Sequence, residues 1–310
     1  MNLERLGLEQ LGLWPARVLW LLAPLTVGTG LTDALESQAS TPGLIVEIAL
    51  WLSWFAVLVA ALTPSPRSLT ICRIAGPVAI GATILAGLAD SWSSSRLVGL
   101  GFAVLFSAVS FLPTFGDHMI NGSAYGSERR MALRPPAFVL IGPAQLAWLM
   151  VFFGLTAAPM LILAERFALA AVAIIVGAAA VWAGGRVLHQ LARRWIVFVP
   201  AGFVIHDPMT VVDSVLLRRN EVATLGPASA DQELGSATGN DDLRIDLSGG
   251  ALGLALQVAL KKATPITTRK GREMNNREVD NLIFSPTLPG AMLSEARIRG
   301  LKIGQAAEPS

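Results

Sequence analysis

Apolar residues dominate the chain up to about position 185 in long runs, and beyond Arg194 they recur in short runs broken by polar residues and turns. The long runs cover 14–35, 43–63, 74–89, 97–115, 137–164 and 167–185. A helix needs about 20 mostly apolar residues to cross a bilayer, so the pattern predicts about six spans. Pro64-Ser65-Pro66 closes the second run, Asp90-Ser91-Trp92 the third, and Glu165-Arg166 separates the last two. Residues 1–13 read as an amphipathic lead-in, with Trp14 and Trp20 placed as interfacial anchors of the first span. Glu4, Arg5 and Glu9 precede that span, which does not fit a signal peptide, so the span is expected to be retained.

The period changes at GGRVLHQLARRWIVFVPAGFVIHDP, residues 184–208. Arg186, His189, Arg193 and Arg194 form a basic collar at a predicted helix end. Two strands, 195–199 and 203–206, follow around Pro200-Ala201-Gly202. Further strands are expected at 214–218, 242–247 and 254–260, where Leu243, Ile245 and Leu247 alternate with Arg244 and Asp246 to give one wet face. Residues 116–136, 226–241 and 267–278 read as polar loops, and GAMLSEARIRG (290–300) as a helix. The predicted organisation is a membrane helical bundle over 1–192 and a mostly-β cytoplasmic sandwich or barrel over 193–310, closed by one C-terminal helix. Trp195, Val197, Phe203, Ile205, Leu216, Leu254, Leu256 and Ile283 are expected to form its core and to let it fold without the spans.

Composition sharpens this picture. Charged residues make up 15% of the chain and hydrophobic ones 53%, against roughly 25% charged in soluble domains. A net charge of +2 gives no reason to expect a nucleic-acid partner. Cys72 is the single cysteine, which excludes an internal disulfide, and His118, His189 and His206 lie far apart, so neither a metal nor a cofactor is expected. Gly28-Thr-Gly30 lies inside a span with no strand before it and is not a dinucleotide fingerprint. With six spans, Arg5, Arg17, Arg67, Arg73, Arg129, Arg130, Arg134, Arg186, Arg193 and Arg194 fall on one side, and Arg96 and Arg166 on the other. That asymmetry predicts an inner (plasma) membrane protein with both termini cytoplasmic.

The stretches RRWIVFVPAGFVIHDP, VLLRRNEVATLGPA and IFSPTLPGAMLSEARIRG, with SERRMALRPP ahead of them, resemble multi-span membrane proteins of actinobacteria. Their soluble part is similar to bacterial pleckstrin-homology-like domains. The resemblance implies a fold, and it brings no reaction, substrate or catalytic residue with it.

Candidate chemistry concentrates in a few places. Within 116–136, Asp117 and His118 could act as an acid/base pair, Tyr125 and Glu128 add polar groups, and Arg129 and Arg130 could grip a lipid phosphate. The simpler reading, which the residues favour, is a cytoplasmic loop that supplies positive-inside charge and docks on the soluble domain. Glu47 lies one turn into the second predicted span and is a suspect for transport or catalysis, while Asp33, Glu36 and Asp90 fall at outer ends. Arg193 and Arg194 could meet lipid phosphates, and Lys261 and Lys262, with Arg269, Lys270, Arg272 and Arg277, could bind anionic headgroups or form a solvated loop. Asp207 is expected to bond its own backbone at a turn. Ala75, Ala79, Thr83 and Gly87 repeat every fourth position as a helix-packing stripe. The reading these features favour is a membrane scaffold or regulatory adaptor whose β domain binds a protein partner or lipid headgroups. A small-solute or lipid transporter, and an enzyme acting on lipid, are the alternatives.

Overall fold

The computed structural model describes residues 12–36, 41–89, 91–228, 243–270 and 273–304. Residues 1–11 of the lead-in, Asp90, Arg272, most of the 226–241 loop and the side chains of Asp33, Glu36 and Lys270 lie outside the described residues. The chain forms two units, one of Met1–Ser123 with Ala144–His189 and another of Ala124–Pro143 with Gln190–Ser310. The β unit therefore draws on a segment between two spans as well as on the C-terminal stretch expected from the sequence.

The helical unit runs through α1 (Trp14–Leu21), α2 (Val27–Glu36), α3 (Thr41–Leu62), α4 (Pro66–Ala89), α5 (Ser94–Phe111) and α6 (Pro113–Asn121). After the short α7 (Ala137–Ile141), which belongs to the other unit, come α8 (Pro143–Leu163) and α9 (Phe167–Ala192). Five of these, α3, α4, α5, α8 and α9, are long and apolar enough to cross a membrane. The first expected span is instead two short helices joined by a 3-10 turn at Ala23–Leu25. Pro24 is the cause: it has no N–H to continue the helix, and its ring clashes with the turn before it. The Trp20 carbonyl, deprived of the Pro24 donor, accepts from Trp54 Nε1 at 2.9 Å, and Trp20 Nε1 returns a 2.9 Å bond to the Trp54 carbonyl. Elsewhere arginines bond backbone carbonyls between the helices. Arg17 Nε donates to Ala61 O at 3.1 Å, Arg73 Nε to Ser110 O at 3.1 Å, and the buried Arg96 donates to Gly30 O and Ser91 O.

Helices α8 and α9 meet backbone to backbone. A Cβ placed on Gly177 would lie 2.5 Å from the Gly154 carbonyl oxygen, so only glycine permits this seam. In the predicted small-residue stripe of α4, Ala75, Thr83 and Gly87 are buried as packing positions.

Among the described residues, the β unit holds two four-stranded sheets. The first is antiparallel, in the order β1 (Arg129–Ala132), β2 (Trp195–Val199), β3 (Gly202–His206), β4 (Val215–Arg218). The second pairs β5 (Val222–Pro227), β7 (Leu256–Lys270), β8 (Glu273–Phe284) and β6 (Arg244–Asp246) in that order, with β6 parallel to β8. Helix α10 (Pro289–Ile298) places Met292 and Ala296 in the same core as Met131, Ile196, Phe198, Phe203, Leu225 and Phe284.

Three expectations change here. The 116–136 segment is no simple loop, since it supplies α6 and β1. Residues 267–270 and 273–278 belong to strands β7 and β8, paired from Ile266↔Arg277 to Lys270↔Glu273. Their polar side chains reflect exposed strand faces rather than irregular backbone. Finally, β2 faces the other way from the expected core. Ile196 and Phe198 are fully buried, whereas Trp195 and Val197 stand half-exposed on the outer face. Leu216 and Leu254, also expected inside, are exposed, while Phe203, Ile205, Leu256 and Ile283 are buried as anticipated.

Candidate functional site

Strand alternation continues backward from β2 through Arg194, and this decides the fate of the collar. Arg194 shares the inward parity of Ile196 and Phe198 and is 1% exposed. Its Nε donates to Asp207 Oδ1 at 2.8 Å and its Nη2 to Asp207 Oδ2 at 2.6 Å, a bidentate pair closed to water at both ends. The same guanidinium reaches the Arg134 carbonyl after β1 and, at 3.1 Å, the Leu247 carbonyl after β6. Asp207 also accepts from Met209 N at 3.2 Å and Thr210 Oγ1 at 2.6 Å, the turn bonding that the sequence predicted. One arginine thus ties four chain segments together inside the β unit, so Arg194 cannot serve as a headgroup ligand.

The outer face of the first sheet gathers Trp195, His206 and Arg130, with Arg193 of the collar beside them, while Arg186 and His189 stay on α9 in the helical unit. His206 stacks on Trp195, with ring centroids 4.7 Å apart, and its Nδ1 lies 2.9 Å from Ser214 Oγ. The Arg130 guanidinium lies 5.7 Å from the Trp195 ring centre, within cation–π reach, and meets Glu128 at 3.6 Å. Burial holds the His206 imidazole below its ordinary value. Arg193 and Arg130 push the same way and Asp207 opposes them. Arg193 and Arg129 are half-buried, the latter opposite Phe198 at the sheet edge.

The other sequence candidates are dispersed. Asp117 is buried and His118 half-buried on α6, where the helix turns adjacent side chains about 100° apart. The His118 ring bonds the Thr114 carbonyl through Nδ1 at 2.6 Å. Tyr125, 86% exposed, and Glu128 belong to the β unit, so the polar segment is divided between the two units. Glu47 is half-buried on α3. Lys261, whose Nζ donates to Asn220 O at 2.7 Å, and Lys262 are exposed on β7. Among the described residues no group of three or more histidine, cysteine or carboxylate side chains could hold a metal ion.

The sequence reading missed a cleft of about 350 Å3 in the β unit. Val199 and Pro200 at the β2–β3 turn form one wall, Ile298 and Gly300 at the end of α10 another, and Arg219 and Arg299 complete it. Both arginines are held in place. Arg219 Nη2 donates to Pro200 O at 2.8 Å, while Arg299 donates to Glu295 Oε1 and to Ser127 O at 2.7 Å each. Arg218, Arg297 and Lys302 stand exposed beside them in sequence. The signal was present in EARIRG: a helix-ending glycine, with φ +75° at Gly300, turns the chain right after a basic pair. Chemically the cleft offers apolar contact flanked by planar donors suited to carboxylates. Compared with known protein families, curated proteins and solved structures, the chain matches none.

Proposed function

We propose that this protein is an integral-membrane adaptor whose β unit, of pleckstrin-homology-like architecture, docks an acidic segment of a partner protein. Support for the architecture comes from two sheets packed over one core and closed by a C-terminal helix. Support for the membrane role comes from the five long apolar helices. The observation that carries the docking reading is the cleft beside α10, where Val199, Pro200 and Ile298 offer an apolar seat between Arg219 and Arg299. An acidic peptide with one leucine fits this chemistry: the leucine enters the apolar seat and carboxylates meet the guanidinium groups.

Fluorescence anisotropy on the purified full chain tests the reading with such a peptide and with its lysine-substituted counterpart. The acidic peptide should bind, and Arg219→Ala with Arg299→Ala should weaken it roughly tenfold or more, since a hydrogen bond to a charged group contributes about 1.5–3 kcal/mol. Equal binding of both peptides, or an unchanged affinity in the double variant, removes the docking claim.

A further inference from the structure

The helical unit contains a second cleft, of about 370 Å3, between the first turns of α4 and the last turns of α9. Arg67 and Thr70 contribute from α4, and Arg186 and His189 from α9. Thr70 Oγ1 lies 3.0 Å from His189 Nδ1, which joins the two helices there. Moving inward, Ile71 and Ile74 on one side and Trp182 on the other turn the wall apolar. From Arg67 to Ile74, and from His189 back to Trp182, each helix advances about 10 Å. Both walls therefore change from cationic to apolar over the same depth, along helices that are apolar enough to span a membrane. The arginines are exposed, and the Arg186 guanidinium lies 5.8 Å from the Trp182 ring centre.

That gradient matches one class of molecule. A phospholipid places a phosphate at the membrane surface and acyl chains directly beneath it. A basic cleft between transmembrane helix ends is suited to an anionic headgroup. A soluble phosphate would use the arginines and leave the apolar wall wet, and a zwitterionic lipid would set its own cation beside Arg67 and Arg186. We propose that this cleft binds one anionic glycerophospholipid. Its phosphate sits between Arg67, Arg186 and the Thr70–His189 pair, and an acyl chain lies along Ile71, Ile74 and Trp182. The positive end of the long α4 dipole points to the same place.

Native mass spectrometry of the delipidated full chain, titrated with phosphatidylglycerol or with phosphatidylcholine of the same acyl chains, reads the preference directly. The expected result is one phosphatidylglycerol retained over phosphatidylcholine, with roughly tenfold weaker retention in Arg67→Gln/Arg186→Gln and little change in Arg67→Lys/Arg186→Lys. Excess glycerol 3-phosphate should leave the bound lipid in place. A photoreactive phosphatidylglycerol should crosslink to peptides containing 67–74 and 182–189, a readout independent of the folding of any variant. Equal retention of both lipids, an unaffected Gln variant, displacement by glycerol 3-phosphate, or crosslinks elsewhere would each overturn the assignment.

Discussion

Arg194 and Asp207 are the residues whose removal should be felt furthest. Both side chains are shielded from water, so taking away one partner leaves a charge buried without compensation, at a cost of about 3–5 kcal/mol. Asp207→Ala should therefore collapse the cooperative melting of the β structure, whereas Arg194→Met with Asp207→Leu should recover part of it. An unchanged melt in Asp207→Ala, followed by circular dichroism, would remove Arg194 from its central place. His206 gives a pH test of opposite character. Its folded value lies below the ordinary one of about 6.5, so the unfolded chain binds the proton more readily. Stability from this group is present above about pH 6.5 and is lost as the pH falls toward the lower folded value. Melting temperatures between pH 7.5 and 5 should fall less steeply in His206→Gln than in the wild-type chain. Sequence adjacency made Arg193 and Arg194 look alike. Only the β2 parity separates them, and that parity was legible once Ile196 and Phe198, rather than Trp195 and Val197, were taken as the inward set.

Among the elements, those with a single strong period were legible. The β2–β3 hairpin, the C-terminal helix and the long apolar helices lie close to their predicted positions. Strand β1 was hidden because RRMA is too short and too charged to show alternation, and its pairing partner lies more than sixty positions away, in register Arg130↔Val197. The β7–β8 arms were hidden because residues 274–278 of β8 are exposed on both faces and the facing Thr267 and Thr268 are polar, so no hydrophobic pattern marks them. In the helical unit the sharpest dependence is at the α8–α9 seam. Gly177→Leu would drive a side chain into the Gly154 backbone, which cannot yield, whereas Gly101 on α5 has nothing within 4 Å of its added Cβ. Gly101→Leu should leave the detergent-solubilised protein's melting temperature near wild type, and Gly177→Leu should lower it markedly. Similar shifts for the two would mean that the seam does not govern stability.

At the scale of the whole molecule, the topology turns on whether the first, broken helix crosses the membrane. The pair α1–α2, with its joining turn, covers 14–36, about 34 Å if laid end to end, which suffices to cross a core of about 30 Å. If that broken helix crosses, six spans place ten arginines on one side, and reporter fusions should put both termini in the cytoplasm. A periplasmic reporter after residue 310 would reverse that orientation. The candidate cleft beside α10 was legible only on one wall, in the basic pair and glycine of EARIRG, because it forms where Arg219 and Arg299, eighty positions apart, meet across the fold. The cleft stands on a unit whose core includes Met131 and Leu133, and whose buried arginine is anchored on the Arg134 carbonyl. The C-terminal stretch alone lacks all three. The most direct test joins 124–136 by a flexible linker to 190–310 and compares the chimera with 190–310 alone. The chimera should be monodisperse and melt cooperatively, while the shorter chain should be aggregated or molten. Equal, cooperative melting of 190–310 without the added segment would contradict the two-segment unit.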